Sequence, residues 1–227
     1  MFERLRFVPA GDSALIVEMA DTIDVATNTQ VLALANRLRA ADLPGVRDIV
    51  PTFATVAIHF DPLRTDFEAL EREIAQQASR PLLRNNGQRV PIRVPVAYGG
   101  SFGPDLAAVA SFADLTEREA IALHSGAIYR VFMLGFLPGF AYMGSVDARI
   151  ASPRRAVPRT SVPAGSVGIA GRQTGIYPIG SPGGWQIVGR TPMILFDLTR
   201  EDPFLFHPGD SVQFFPIDHT AWERFAS

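Results

Sequence analysis

Hydrophobic positions in the first part of the chain follow the period of a strand and then that of a helix. Residues 13–19 (SALIVEM) form a short apolar run with a β-branched centre, which predicts a strand. A helix is expected after Asp24, a favourable N-cap residue, and Pro44 with Gly45 predicts its end. The residues spaced along one buried face of this helix are Val31, Leu34, Ala35 and Leu38.

The pattern that follows predicts two more strands and a second helix. Residues 46–51 and 54–60 have the composition of strands and are separated by a tight connection. The second helix is expected to begin at Thr65, because Glu68 three residues later completes a capping box. Its apolar stripe comprises Phe67, Leu70, Ile74 and Ala78. The order strand, helix, two strands, helix, strand predicts a ferredoxin-like α/β sandwich.

The composition and the periodicity of the sequence change after the second predicted helix. Residues 80–88 (RPLLRNNGQ) are rich in turn formers and predict a linker. Residues 89–96 (RVPIRVPV) alternate but contain two prolines, which places them at a sheet edge or at the start of a domain. Short helices are predicted at 105–111 and 116–124, the second opening on another capping box.

The second half of the chain contains short apolar runs separated by Gly, Pro and Ser. The predicted strands are 128–134, 166–170, 175–178, 186–189, 193–197 and 211–215. Short strands at such regular spacing favour an antiparallel barrel or sandwich. We therefore expect two domains, residues 1–85 and residues 86–227.

Composition changes this picture little but excludes several kinds of function. The chain is 47% hydrophobic and 19% charged with a net charge of −2, which is typical of a globular protein. A basic excess that would indicate nucleic acid or an anionic membrane surface is missing. The first ten residues lack the apolar core of a secretion signal, and no apolar run is long enough to span a bilayer. A cytoplasmic protein is expected.

Two residue types are absent from the sequence. There is no cysteine, which excludes disulfides, zinc–thiolate sites and thiol nucleophiles. There is also no lysine, since all 21 basic residues are arginine. This chain therefore cannot form a Schiff base, carry biotin or supply the lysine of a P-loop.

Common catalytic motifs are missing as well. The four histidines show none of the spacings that hold a metal on one helix or strand, so a metal site is not expected. The sequence GSVG at 165–168 differs from the GxSxG of a nucleophile elbow, because its second glycine is one residue early.

The positive signal for function lies in residues 148–196. This window contains six arginines, at 149, 154, 155, 159, 172 and 190, and no Asp or Glu. Arginine forks bind carboxylates and phosphates in a bidentate way, so the window predicts a site for a small anionic ligand. The alternative is that these are solvated loop charges, some of them paired with acids in the first domain. Polar and aromatic residues among the arginines are Ser161, Gln173, Thr174, Tyr177, Ser181, Trp185 and Gln186.

Two further features are candidates for the site. Residues 136–142 (FLPGFAY) place three aromatic side chains around Pro138-Gly139, which fits either core filling or the wall of a ligand site or subunit interface. His124 closes a predicted helix. It fits either a helix C-cap or a group that transfers a proton near neutral pH.

Three long strings in the second half of the chain carry a family resemblance. They are FLPGFAYMG from 136, SPRRAVPRTSVPAGSVGIAGRQTGIYPIGSPGGWQIVGRTP from 152 and FLFHPGDSVQF from 204. They resemble the allophanate hydrolase subunit 1 / KipI-type carboxyltransferase subdomain family, and most of all its 5-oxoprolinase branch. The resemblance implies an α+β fold, with a ferredoxin-like N-terminal domain followed by a cyclophilin-like antiparallel β-barrel.

The resemblance also implies a function shared with partner chains. It suggests a subunit of a complex that opens 5-oxo-L-proline to L-glutamate with ATP, formed with a C-like carboxyltransferase partner and an A-like third chain. Catalytic roles are implied for His124, Arg155 and Gln173. Roles in substrate binding are implied for Pro138, Gly139, Phe140, Arg159, Thr174, Tyr177, Ser181, Trp185 and Gln186, with Pro163 in the same matched set.

Within these roles, the arginines would neutralise carboxylate and phosphate charge, Gln173 and Thr174 would orient the ring amide, and Trp185 or Phe140 would cover the ring. ATP would be shared with the partner subunits. Two other functions fit the same family, a KipI-like inhibitor of a sensor histidine kinase and half of a biotin-dependent urea carboxyltransferase or allophanate hydrolase. Prolyl isomerase activity is disfavoured, because a cyclophilin-like barrel alone does not carry that function.

Overall fold

The computed structural model describes residues 5–80 and 90–225. The chain divides into two compact units, residues 1–87 and residues 88–227. The predicted linker at 80–88 lies outside the described residues except for Arg80. Among the helices that can be described, none is long and apolar enough to cross a membrane.

The first unit is a four-stranded antiparallel sheet with two helices. In chain order its elements are β1 (Arg6–Pro9), β2 (Ala14–Glu18), α1 (Val25–Ala41), β3 (Val46–Pro51), β4 (Thr55–Phe60) and α2 (Phe67–Ser79). The strands lie in the order β1-β2-β4-β3. The apolar faces of the helices bury Leu34, Leu38, Leu70 and Ile74 against the sheet residues Val17 and Ile58 in one core.

Helix starts in this unit follow capping chemistry. The predicted cap of α1 is confirmed, since Asp24 accepts a hydrogen bond from the backbone N–H of Thr27 at 2.8 Å. The predicted start of α2 at Thr65 is one residue early. Asp66 is the N-cap instead and accepts from the N–H of Ala69 at 2.8 Å. A carboxylate is at least as good a cap as a hydroxyl, so the adjacent aspartate takes the position.

The fourth strand of the first sheet is not where the sequence placed it. We predicted it after the second helix, whereas Arg6–Pro9 fills this place and pairs with β2. Four residues that include an arginine and a proline are too few to show a period of two, so the pattern gave no signal there.

The second unit is built around a closed barrel. Its strands are β5 (Ile92–Tyr98), β6 (Ile128–Leu134), β7 (Ala141–Gly144), β8 (Arg159–Val162), β9 (Ser166–Ala170), β10 (Gln173–Ile176), β11 (Ser181–Gly183), β12 (Gln186–Arg190) and β13 (Ser211–Pro216). Its helices are α3 (Leu106–Phe112) and α4 (Glu117–Gly126), with 3₁₀ turns at Ala148–Ile150 and His219–Phe225. The predicted capping box of α4, between Thr116 and Glu119, is confirmed.

Seven strands close the barrel in the order β10-β7-β6-β13-β5-β12-β9, and β8 with β11 forms a separate two-stranded ribbon. All neighbours in the barrel are antiparallel except β13 and β5, which run parallel. The predicted α+β class with a barrel is therefore confirmed, and the barrel is mixed in this one pair.

Several strand predictions need correction. The proline-containing strand β5 lies at the start of the second unit, which was one of its two predicted places, and not at a sheet edge, because it pairs with β12 on one side and β13 on the other. Its pairing with β12 covers only Ala97 and Tyr98, so Pro95 lies beyond the end of that ladder. The predicted strand at 193–197 forms only an isolated bridge from Phe196 to Phe204. The short strands β7, β8 and β11 were not predicted, because Gly and Pro dominate their surroundings.

Candidate functional site

The barrel wall presents a second apolar cluster on its outer face. Strands β9 and β10 alternate, so that Val167, Ile169 and Ile176 enter the barrel core while Ala170 and Gly175 face outwards. We call the outward-facing group the outer cluster; it consists of Phe140, Val162, Ala170, Tyr177, Trp185 and Ile187. A Cβ on Gly175 would lie 3.1 Å from the Phe140 ring, which shows how closely this ring covers the strand.

Phe140 is the centre of the outer cluster. Its ring centroid lies 4.9 Å from that of Tyr142, 5.2 Å from Tyr177 and 5.4 Å from Trp185, mostly edge to face. Phe136 packs edge-on against Phe140 at 5.5 Å and remains 60% exposed. Within the aromatic run at 136–142, Phe140 therefore fills a core, as one of the two interpretations predicts, while Phe136 is exposed. A ligand wall or subunit interface stays a prediction.

Phe136 is held in an uncommon backbone conformation. Its φ is +69°, and the N–H of Leu137 donates to the carbonyl of Gly135 at 2.8 Å, which defines a γ-turn centred on Phe136. A bulky residue with positive φ is strained, and such strain is retained where the surroundings over-determine it, often at functional sites. The exposed ring beside the outer cluster is therefore a candidate contact for a ligand.

Tyr177 packs tightly beneath the ribbon. The backbone N–H of Trp185 donates to its hydroxyl, and burial raises the pKa of Tyr177 while the nearby Arg154 charge opposes part of that rise. A Cβ on Gly183 would lie 2.4 Å from the Tyr177 hydroxyl oxygen. The ribbon can lie this close to the barrel only because position 183 has no side chain.

Gly183→Ala is expected to lower the free energy of unfolding by about 1–3 kcal/mol, because the added methyl must displace the Tyr177 hydroxyl or the ribbon. Gly180→Ala in the preceding turn is the matched control, since its nearest neighbour would be 3.9 Å away. Urea denaturation of both variants measures the effect. Equal stability of the two variants contradicts the close packing at Tyr177.

Two of the site arginines are paired with a buried acid. Asp105 Oδ1 accepts from Arg155 Nη1 at 3.0 Å and from Arg159 Nη2 at 2.7 Å, and Asp105 Oδ2 accepts from the N–H of Ile187 at 2.7 Å. Asp105 is only 5% exposed. Arg155 and Arg159 are therefore paired charges, but their acid lies in their own unit and not in the first domain, where the alternative had placed it.

The remaining four arginines divide between structural positions, held by Arg149 and Arg190, and exposed positions, held by Arg154 and Arg172. Arg149 pairs with Asp147 at 2.9 Å, and Arg190 donates from Nε to the carbonyl of Ala164. Arg154 is exposed, and its guanidinium carbon lies 5.9 Å from the centre of the Trp185 ring. It has no ion pair with any residue in the described ranges. Arg154 is thus a cation over the outer cluster.

His124 lies in the barrel core. It is 1% exposed, and its ring stacks on Phe214 with centroids 4.7 Å apart. Its Nε2 is 2.9 Å from Thr174 Oγ1 and its Nδ1 is 2.7 Å from the Tyr98 hydroxyl. Burial lowers the pKa of His124 to about 3, so the ring is neutral near pH 7.

The tautomer of His124 follows from its neighbours. The single hydroxyl proton of Thr174 goes to the carbonyl of Gly168 at 3.0 Å, so Thr174 must accept from Nε2–H. The unprotonated Nδ1 then accepts from the Tyr98 hydroxyl. Both ring nitrogens are engaged within the core. The structure places His124 neither at a helix C-cap, which is Ala127, nor at a surface that a ligand reaches.

Gln173 and Thr174 lie on opposite faces of the same strand. Thr174 points into the barrel towards His124, whereas Gln173 points outwards beside Ala170, its partner across the β9–β10 hairpin. The Gln173 side chain is half-buried and makes no hydrogen bond to another described residue. The expectation that both residues orient one ring amide therefore does not fit this geometry.

The other predicted residues surround the outer cluster. Gln186 Nε2 donates to the carbonyl of Pro153 at 3.0 Å, and the Ser181 hydroxyl donates to that of Pro182. Pro138 and Pro163 are exposed. Gly139, with φ +82°, requires glycine, since a Cβ there would lie 2.9 Å from Phe196 Cβ.

Sequence reasoning gave no individual role to two residues at this face, Arg154 and Asp105. Arg154 was counted among the arginines but not assigned to the site, whereas Tyr142 belongs to the aromatic run singled out at 136–142 and packs against Phe140. Asp105 stands at a predicted helix start, where an aspartate normally caps, yet its side chain makes no capping bond. Within the described ranges, no group of three His, Asp or Glu side chains is arranged to hold a metal ion.

The chain is similar to known proteins over almost its whole length. Residues 5–206 match the family described as Carboxyltransferase domain, subdomain C and D. The chain is 41% identical to the B subunit of 5-oxoprolinase from Escherichia coli O157:H7, covering 94% of this chain and 97% of that protein. It is 37% identical to the B subunit of 5-oxoprolinase from Bacillus subtilis, covering 99% and 98%.

A solved structure and a longer enzyme show similar regions. A crystal structure of TTHA0988 superposes with a TM-score of 0.81 at 36% identity, covering 90% of this chain and 40% of the longer one. The urea amidolyase of Lachancea kluyveri is 33% identical over 52% of this chain, which is 7% of that protein. The outer cluster with its arginines thus stands on the barrel of a protein that belongs to the carboxyltransferase subdomain C and D family and is a homologue of the B subunit of 5-oxoprolinase.

Proposed function

We propose that this chain is a subunit of an ATP-dependent 5-oxoprolinase complex, acting with a C-like carboxyltransferase partner and an A-like third chain. The observation that carries the proposal is the group of Arg154, Trp185 and Gln173 around the outer cluster, in a chain that matches B subunits of 5-oxoprolinase over nearly their full length. This group combines a free cation, an aromatic surface and an amide.

These three features match the parts of 5-oxo-L-proline, a five-membered lactam that carries a carboxylate. Arg154 binds the carboxylate, because its guanidinium has no competing acid among the described residues. The apolar ring lies against Trp185 and Phe136, and the Gln173 side chain hydrogen-bonds the lactam amide. Held in this way, the ring presents its carbonyl carbon to the rest of the complex.

In the overall reaction, the lactam C–N bond breaks, water adds to the carbonyl carbon and the ring nitrogen becomes the amino group of L-glutamate. ATP hydrolysis to ADP and phosphate drives the step, and the nucleotide is shared with the partner subunits, since this chain supplies arginine but no lysine to phosphate groups. The residues of this chain bind and orient the substrate and exclude water from one side of it. We assign His124 and Thr174 to the support of the barrel rather than to substrate contact.

Reconstitution with the two partner chains tests the proposal. We expect 5-oxo-L-proline-dependent release of phosphate and glutamate only when all three chains are present, because the sequence of this chain has no cysteine, no lysine and no nucleophile-elbow motif. A complex that forms but gives no glutamate contradicts the proposal. Recovery of a sensor histidine kinase with the tagged protein, and of no C-like carboxyltransferase partner, favours a KipI-like inhibitor instead.

The match to urea amidolyase favours one alternative, half of a biotin-dependent carboxyltransferase acting on urea. Biotin is carried on a lysine, so this alternative requires a biotinylated partner chain. Urea-dependent turnover in the presence of such a partner, without turnover of 5-oxo-L-proline, distinguishes it.

A further inference from the structure

Asp105 joins three parts of the second unit. Its backbone N–H donates to the carbonyl of Ile187 at 2.9 Å, while its Oδ2 accepts from the N–H of the same residue at 2.7 Å. This reciprocal pair fixes the carboxylate against β12. The other oxygen, Oδ1, faces Arg155 and Arg159, which lie 50 and 54 residues away along the chain.

The two arginines would not remain together without this carboxylate. Two guanidinium groups that share one oxygen atom repel each other, and the repulsion is strong in a half-buried environment. Asp105 neutralises one of the two charges and leaves a net charge of +1. Arg155 Nε and Arg159 Nη1 are buried and have no hydrogen-bond partner in the described structure, so the cluster keeps unsatisfied donors.

The segment from Arg154 to Arg159, the first residue of β8, also borders the outer cluster. The N–H of Arg155 donates to the carbonyl of Gly184 at 2.8 Å, next to Trp185, and Arg154 precedes it in the loop. Arg155 is therefore held twice, through its backbone by Gly184 and through its side chain by Asp105, and it directly follows Arg154. Asp105 thus restrains the residue next to Arg154, whose guanidinium lies over the Trp185 ring.

We propose that Asp105 is a positioning residue that clamps Arg155 and Arg159 into one unit of charge +1 and thereby fixes the anion-binding side of the outer cluster for a carboxylate or phosphate group. The turnover test of this inference rests on the proposed function, whereas the spectroscopic test does not. The position of Asp105 at the start of α3 does not predict this role. An aspartate at that position normally caps the helix, whereas the Asp105 side chain makes no capping hydrogen bond.

Asp105→Asn should release Arg155 and Arg159 while leaving the fold intact. The carbonyl of the introduced asparagine still accepts from the N–H of Ile187, but its amide N–H₂ group then faces two donors and cannot hold the arginines. We expect the Arg155 and Arg159 Nε–Hε signals in ¹H–¹⁵N spectra of the whole protein to be resolved in the wild type and to collapse towards the exposed arginines in this variant. Arg155→Lys and Arg159→Lys identify the signals.

Asp147→Asn is the matched control, since it breaks the Asp147–Arg149 pair near the surface and should leave the Arg155 and Arg159 signals unchanged. Signals of Arg155 and Arg159 that are unchanged in Asp105→Asn overturn the clamp, whatever reaction the protein takes part in. The same spectra recorded with inorganic phosphate should show binding at least tenfold weaker in Asp105→Asn than in the wild type. Equal affinity overturns the link between the clamp and anion binding.

Turnover adds a second, separable readout in the complex of all three chains. Asp105→Asn should raise KM for 5-oxo-L-proline and lower kcat/KM at least tenfold, and this loss should vanish when Arg155 and Arg159 are already alanine. An equal loss in both backgrounds would show a merely structural role for Asp105. If the wild-type complex does not turn over 5-oxo-L-proline, the proposed function fails while the spectra still decide on the clamp.

Discussion

Gln173→Ala should reduce kcat/KM of the reconstituted complex for 5-oxo-L-proline by about 100-fold, the loss typical for one preorganised hydrogen-bond donor at a reacting carbonyl. The side chain projects from the barrel beside Ala170 and has no partner among the described residues, so its removal leaves no buried group unsatisfied. Arg154→Ala should act mainly on KM, because it removes an attraction to the carboxylate that exists before and during the reaction. Steady-state kinetics on purified complexes measures both.

Arg149→Ala serves as the control for charge, since this arginine pairs with Asp147 away from the outer cluster and should leave kinetics within about twofold of the wild type. Thermal unfolding of the free chain should be nearly unchanged in Gln173→Ala and Arg154→Ala, because both side chains are partly or fully exposed. Near-normal turnover in both variants would remove the outer cluster as the substrate site.

Acid should destabilise the second unit through His124. The pKa of this histidine is held at about 3 by burial, whereas it is about 6.5 in an unfolded chain, so the unfolded state binds a proton that the folded state rejects. The stabilisation from the neutral ring is therefore complete above pH 6.5 and is lost as the pH falls from there towards 3, by about 1.4 kcal/mol per pH unit. The groups around the ring, which are Tyr98, Tyr129, Thr174 and Phe214, carry no charge in this range.

His124→Gln tests this effect, because glutamine does not titrate and bonds Tyr98 and Thr174 only imperfectly. At pH 7 the variant should be less stable than the wild type by about 2–4 kcal/mol, from lost packing and broken hydrogen bonds. At pH 5 the difference should be smaller by about 2 kcal/mol. Urea denaturation across this range gives both values, and a constant difference between the two proteins excludes His124 as the titrating group.

The sequence was sufficient for features that depend on neighbouring residues. The capping box at Thr116, the cap at Asp24 and the apolar stripes of α1 and α2 are local patterns, and the structure contains each of them. Short strands such as Ala141–Gly144 could not be predicted from the sequence. Their extended conformation comes from pairing with neighbouring barrel strands, and not from an alternation of apolar and polar residues. The parallel pairing of β5 with β13, which makes the barrel mixed, joins residues far apart in the chain and therefore has no local sequence pattern.

The site was predictable in its composition but not in its geometry. An acid-free, arginine-bearing stretch was visible in residues 148–196, yet the acid that pairs with Arg155 and Arg159 lies about 50 residues earlier. The alternation of β10 separates Gln173 from Thr174, which could be foreseen only after that strand was known to lie in a barrel wall. His124 became a core residue for the same reason, since its ring meets strands distant in the chain.

The one parallel pair in the barrel has a consequence for how the protein forms. β5 is the first barrel strand in the chain and β13 the last, and the residues they pair lie about 120 positions apart. Until the last strand arrives, β5 and β6 each keep an unpaired row of backbone groups, which other chains can join. The slow step of folding should therefore be the pairing of β13 with β5 and β6. Chaperones that shield strand edges during synthesis should accordingly matter more for this unit than for the first.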